Sequence, residues 1–105
     1  MAFRLQPNPT FKAKVKIPVP GQARSSEVEF EFRHFSQSDF DGMMQEKSVR
    51  DTLTDDVIVG WSGVDTPFST EALKQLFDNY PGAGAVVFQT FVDELFTDKA
   101  KVKNS

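Results

Sequence analysis

The sequence predicts an α+β fold: an N-terminal antiparallel β-hairpin or small sheet packed against a C-terminal bundle of about four helices. Two observations carry that expectation. Apolar and polar residues alternate with a period of two from Phe11 to Arg33, and from Ser36 onward the apolar spacing turns helical. The length bounds it, because 105 residues make one domain and no inner linker divides them. The expected division is a single domain over 1–105, with a β-rich part at 1–35, a helical part at 36–99 and a flexible tail at 100–105.

The hairpin comes first. Phe11, Ala13, Val15, Ile17 and Val19 alternate with Lys12, Lys14, Lys16, Pro18 and Pro20. After a turn near Gly21-Gln22, Val28, Phe30 and Phe32 share one face, and Glu27, Glu29, Glu31 and Arg33 the other. Folding back there sets Lys16 opposite Glu27, Lys14 opposite Glu29 and Lys12 opposite Glu31. A register shifted by two residues keeps the faces and changes the partners. Pro18 and Pro20 cannot donate to a ladder, which puts that end of the strand on an edge or in the turn.

The helices follow. Ser36 or Ser38 caps a first helix running to about Lys47, with Phe40, Met43 and Met44 on one side and Gly42 weakening it. A second helix is expected from about Val49 to Trp61, because Val49, Leu53, Val57 and Trp61 recur every four residues. Gly63 and Pro67 punctuate a connector. Ser69 caps a third helix bearing Leu73, Leu76, Phe77 and Tyr80, which Pro81-Gly82-Ala83-Gly84 ends. A fourth spans roughly Ala85 to Lys99 with a wide apolar face.

Charge is unevenly placed within a net charge of -3. Residues 1–35 hold six basic and three acidic side chains, and residues 36–98 hold three basic and twelve acidic ones. Lys99, Lys101 and Lys103 make the end basic again. Opposite ends of different copies then attract, which favours head-to-tail association and a homo-oligomer.

Composition removes whole classes of chemistry. There is no Cys, so disulfides, thiolate metal sites and a Cys nucleophile are out. No apolar run approaches the ~20 residues of a membrane span. Met1-Ala2-Phe3-Arg4-Leu5-Gln6 shows no secretory signal pattern. The single histidine, His34, has no assignable Ser or Asp constellation. Asp39-Phe40-Asp41-Gly42 lacks the remaining ligands of a calcium loop, and Asp55-Asp56 point different ways on a helix. Gly82-Ala83-Gly84 follows a helix and lacks the Lys-Ser/Thr of a phosphate loop. Nucleic-acid binding through Lys12, Lys14 and Lys16 is not expected, since the Phe residues face away from that row and the net charge is negative. No catalytic, cofactor-binding or metal-binding residue is expected, and no enzyme.

What remains is apolar surface. The 11 Phe give two strands and four helices more apolar faces than one small core needs. Phe88, Phe91, Val92, Leu95 and Phe96 on the last helix are the candidates for client or self contact, and Phe11, Val15, Phe30 and Phe32 for a hairpin contact face. From its residues alone the last-helix set reads equally well as core.

Val57-Ile58-Val59-Gly60-Trp61-Ser62-Gly63-Val64-Asp65, Pro67-Phe68-Ser69, Glu71-Ala72-Leu73 and Tyr80-Pro81 form a corner: a helix ending in Trp-x-Gly-Val, a loop, a capped helix. Over about residues 3–97 the chain resembles the tail assembly chaperones of long, non-contractile-tailed, lambda-like bacteriophages. The resemblance implies a late protein of the host cell cytoplasm, absent from the mature virion. It implies binding to the tape measure protein, which is kept soluble and extended until tail tube protein polymerises around it. It also implies a frameshifted longer form of the same protein as a partner, the slip lying near the Lys-rich end. No cofactor goes with it. The alternative is a minor structural tail or head-tail connector protein of the virion.

Overall fold

β1 (Thr10–Ile17) and β2 (Ser26–Arg33) form the antiparallel hairpin in the expected register, Lys12 opposite Glu31, Lys14 opposite Glu29 and Lys16 opposite Glu27. The structure, a computed structural model, describes residues 5–96. The expected flexible tail and the last residues of the fourth helix lie outside the described residues. Alternation decides the faces: Val15, Ile17, Val28, Phe30 and Phe32 are buried, and Lys12, Lys14 and Lys16 are exposed. The turn carries Gly21 at φ 80°, a left-handed conformation that glycine takes without steric cost, and the Gln22 N–H donates to the Val19 carbonyl at 3.1 Å.

α1 (Gln37–Glu46) follows, capped by Ser36, whose Oγ accepts from the Asp39 N–H at 3.1 Å. It buries no residue fully; Phe40 and Met43 rest half-buried on the core. Ser48 caps α2 (Val49–Thr52) through the Asp51 N–H. A π-helical turn, Leu53–Val57, continues it. Lys47 bridges the two ends, hydrogen-bonding Asp56 at 3.1 Å and Asp55 at 3.4 Å. The bond to Asp56, helped by Asp55, holds the Lys47 ammonium above the ordinary lysine range.

The second helix does not reach Trp61. Ile58–Ser62 is instead β3, antiparallel to β2, in a sheet of order β1-β2-β3. The physical reason lies in a bulge. Phe32 pairs with Ile58, Glu31 pairs with Gly60, and Val59 is the extra residue between them. That insertion lets Ile58 and Trp61, three apart, both join the core, a spacing that otherwise signals a helix. β-branched Ile58 and Val59 and the poor helix former Gly60 favour the strand. β2 is thereby central.

α3 (Thr70–Asn79) and α4 (Ala83–Phe96) complete the chain. Ser69 Oγ accepts from the Ala72 N–H at 3.0 Å, the expected cap. Leu73 and Phe77 of α3 and Ala83, Val87 and Phe91 of α4 are buried. The helices cover one face of the sheet. Phe91 is the centre of that packing, with ring centroids 5.5 Å from Phe32, 6.0 Å from Phe35, 6.1 Å from Phe11 and 6.3 Å from Phe40 and Phe88. Such aromatic pairs contribute about 0.5–1.5 kcal/mol each beyond the burial of their area.

Candidate interaction surfaces

The residues expected to make contacts divide by burial. Phe30, Phe32 and Phe91 are 0% exposed and Val15 is 1% exposed, so these four are core side chains of the chain itself. They present no area to a partner unless the core opens, because the helices already cover the inner face of the hairpin. Phe11, Phe88, Val92 and Leu95 are half-buried, and Phe96 is 40% exposed with its ring edge-on to Phe40 at 5.1 Å. Of the expected contact residues, these five are the ones that keep surface open to a partner.

Two grooves border them or lie nearby. One, of about 700 Å³, runs on the helical side between the start of α2 and the α3–α4 corner. Val49, Phe77, Pro81, Ala85 and Phe88 give it an apolar floor, and Arg50, Asp78 and Gln89 a polar rim. Arg50 spans the rim: its guanidinium donates to the Lys74 carbonyl at 3.3 Å and sits 3.8 Å from the Asp78 carboxylate. Sequence reasoning missed Val49 as a groove residue: it repeats with the buried Leu53 and Val57, yet it is 40% exposed. The signal was its place immediately after the capping Ser48, at the open end of a helix.

The second groove, of about 450 Å³, opens at the turn end of the sheet between Ile17, Val28, Trp61, Leu76 and Tyr80. Trp61 borders it and donates through Nε1 to the Thr66 carbonyl at 2.9 Å. Phe68 meets the Trp61 ring edge-on at 5.3 Å. Gly63 turns the chain at φ 89°, where a Cβ would stand 3.4 Å from the Glu27 carbonyl oxygen. Trp61, Gly63, Phe68 and Ser69 together therefore build a corner that carries the chain from β3 into α3.

The outer face of the sheet is polar. Thr10 Oγ1 donates to Glu31 Oε2 at 2.7 Å, and Ser62 Oγ to Glu29 Oε1 at 3.5 Å. Among the described residues no three His, Asp or Glu side chains gather as a metal site would need, and no helix is long and apolar enough to cross a membrane.

A family model described as phage tail assembly chaperone matches residues 1–104. The chain belongs to that family. No curated protein and no solved structure matches it. In this chaperone the segment from Val57 to Ser69, which carried the resemblance, is a strand, a glycine turn and a helix cap. The expected helix ending in Trp61 is corrected to a strand ending one residue beyond it. The motif residues thus hold the fold of the chaperone together, and Trp61, Tyr80 and Pro81 among them also line the two grooves.

Proposed function

We propose that this tail assembly chaperone binds the tape measure protein, keeps it soluble and extended, and gives way to tail tube protein as the tube forms. The observation that carries the reading is the apolar groove of Val49, Phe77, Pro81, Ala85 and Phe88 on a member of a tail assembly chaperone family. A groove between helices with an apolar floor and a polar rim suits one face of an amphipathic helix. Each site is small, and many copies along one long client make weak contacts collectively strong while leaving each one displaceable. The role is non-catalytic. It is exercised in the host cytoplasm, with copies associating along the client and a frameshifted longer form alongside, and the protein leaves before the virion is mature.

Co-expression with the tape measure protein, followed by pull-down from the soluble fraction, tests this. The expected result is rescued solubility and co-purification, lost with Val49→Glu or Ala85→Glu, both of which change exposed positions. Retained co-purification by both variants removes the groove from the reading. No rescue by the wild type, with any longer form also supplied, overturns chaperoning of this client. Finding the protein in purified particles would then assign it to the virion.

A further inference from the structure

The two edges of the sheet are finished differently. β3 is five residues long, bulged, and followed by a loop that lays Phe68 on Trp61. Such an edge is a poor template. β1 is eight residues long and pairs with β2 without interruption. Among the described residues its other side carries no strand.

The pairing fixes which groups face that side. The His34 N–H donates to the Pro9 carbonyl at 2.9 Å, so the pairs Phe11/Phe32, Ala13/Phe30 and Val15/Val28 are the ones whose main chains bond each other. The main-chain groups of Lys12, Lys14 and Lys16 therefore point outward from the sheet. Among the described residues no main-chain bond beyond the strands occupies them. Pro18 falls on the same parity, at a place where a missing N–H costs the sheet nothing.

Charge then selects what can dock. A second copy of β1 running antiparallel would set Lys12, Lys14 and Lys16 against the same three lysines, and like charges directly opposite destabilise a pair. β2 shows the accepted chemistry on the occupied side: Glu27, Glu29 and Glu31 opposite those lysines, with Val28, Phe30 and Phe32 on the core face. The inner face beside the open edge has spare apolar area, since Phe11 and Ala13 are half-buried where Val15 and Ile17 are buried.

We propose that the open edge of β1 accepts an extended segment of a partner protein in which acidic and apolar residues alternate. The acidic side chains lie beside Lys12, Lys14 and Lys16, and the apolar ones beside Phe11 and Ala13. This stands apart from the helical groove and does not depend on the tape measure reading.

The probe is a capped synthetic peptide with the sequence of residues 26–33, titrated into the full chain and followed by amide NMR shifts. Binding is expected to move Thr10–Ile17 and to weaken about tenfold or more when the three Glu are replaced by Lys. Lys14→Pro removes an outward N–H together with the ammonium, and is expected to abolish binding with the circular dichroism unchanged. Lys14→Ser, which keeps the N–H, is expected to weaken it by a few-fold. Should Lys14→Pro fail to fold, the same question passes to the peptide. N-methylation at its Glu residues, whose N–H groups would face β1, blocks binding, and N-methylation at its Val and Phe residues does not. Equal binding by Lys14→Pro, or shifts confined to the helices, overturns the proposal. So does a single-stranded DNA oligonucleotide that displaces the peptide with a steep salt dependence, which would make the lysine row a phosphate surface. Self-association through β1 without peptide overturns it as well.

Discussion

Phe11 and Phe91 lie stacked, their ring centroids 6.1 Å apart and their planes 7° from parallel. The contact ties the edge strand of the sheet to the last helix. Phe91→Ala is expected to cost about 3–5 kcal/mol, a large part of the 5–15 kcal/mol typical of a domain. Urea unfolding measures it. Phe91→Asp is expected to unfold the protein and take helix content with it, because the position is 0% exposed. A folded Phe91→Asp protein would show that this ring is not the centre of the core.

Thr52 is 0% exposed and its Oγ1 has no hydrogen-bond partner among the described residues. Burying an unpartnered hydroxyl costs free energy, and valine has the same shape without it. Thr52→Val is expected to raise stability by about 1 kcal/mol. A loss of that size on thermal melting would mean the hydroxyl is in fact satisfied.

Two glycines are expected to respond oppositely to alanine. Gly42 lies in α1 with nothing within 4 Å of an added Cβ, so Gly42→Ala is expected to stabilise by up to about 1 kcal/mol. Gly63 sits at φ 89° with the Glu27 carbonyl oxygen 3.4 Å from that Cβ, so Gly63→Ala is expected to destabilise by about 1–2 kcal/mol. Melting curves of the two variants should move in opposite directions.

The helix caps separate local from global stability. Ser69→Ala removes the bond to the Ala72 N–H from a helix that buries Leu73 and Phe77, and is expected to lower global stability by about 1 kcal/mol. Ser36→Ala acts on α1, which buries nothing fully. Its expected effect is faster hydrogen exchange confined to α1, with the global midpoint almost unmoved.

Local signals were legible in the sequence where one mechanism dominated. The hairpin register could be read because the lysine and glutamate rows and the buried faces agree. Ser36 and Ser69 could be read because a side-chain oxygen before an apolar helix has few other uses. β3 could not. Its four-residue spacing fits a helix, and only pairing with β2 across a bulge reveals the strand. The candidate site was half legible. A wide apolar stripe marks α4, yet nothing in its spacing tells Phe91, which is buried, from Phe88, which borders a groove. That distinction depends on which face the sheet covers, and the last strand of the sheet was the element missed.

The position of β3 in the chain also predicts an order of assembly. β1 and β2 are joined by a short turn and can pair as soon as both exist. β2 and β3 close across α1 and α2, as the Glu29–Ser62 hydrogen bond spanning 33 positions shows. Closing the longer loop costs about 1 kcal/mol more in chain entropy. A chain that closes the hairpin first has β2 as an outer strand of a two-stranded ribbon until β3 pairs. On such a ribbon Glu27, Glu29 and Glu31 line the strand at the open edge, and like charges directly opposite disfavour the pairing of two β2 edges with each other.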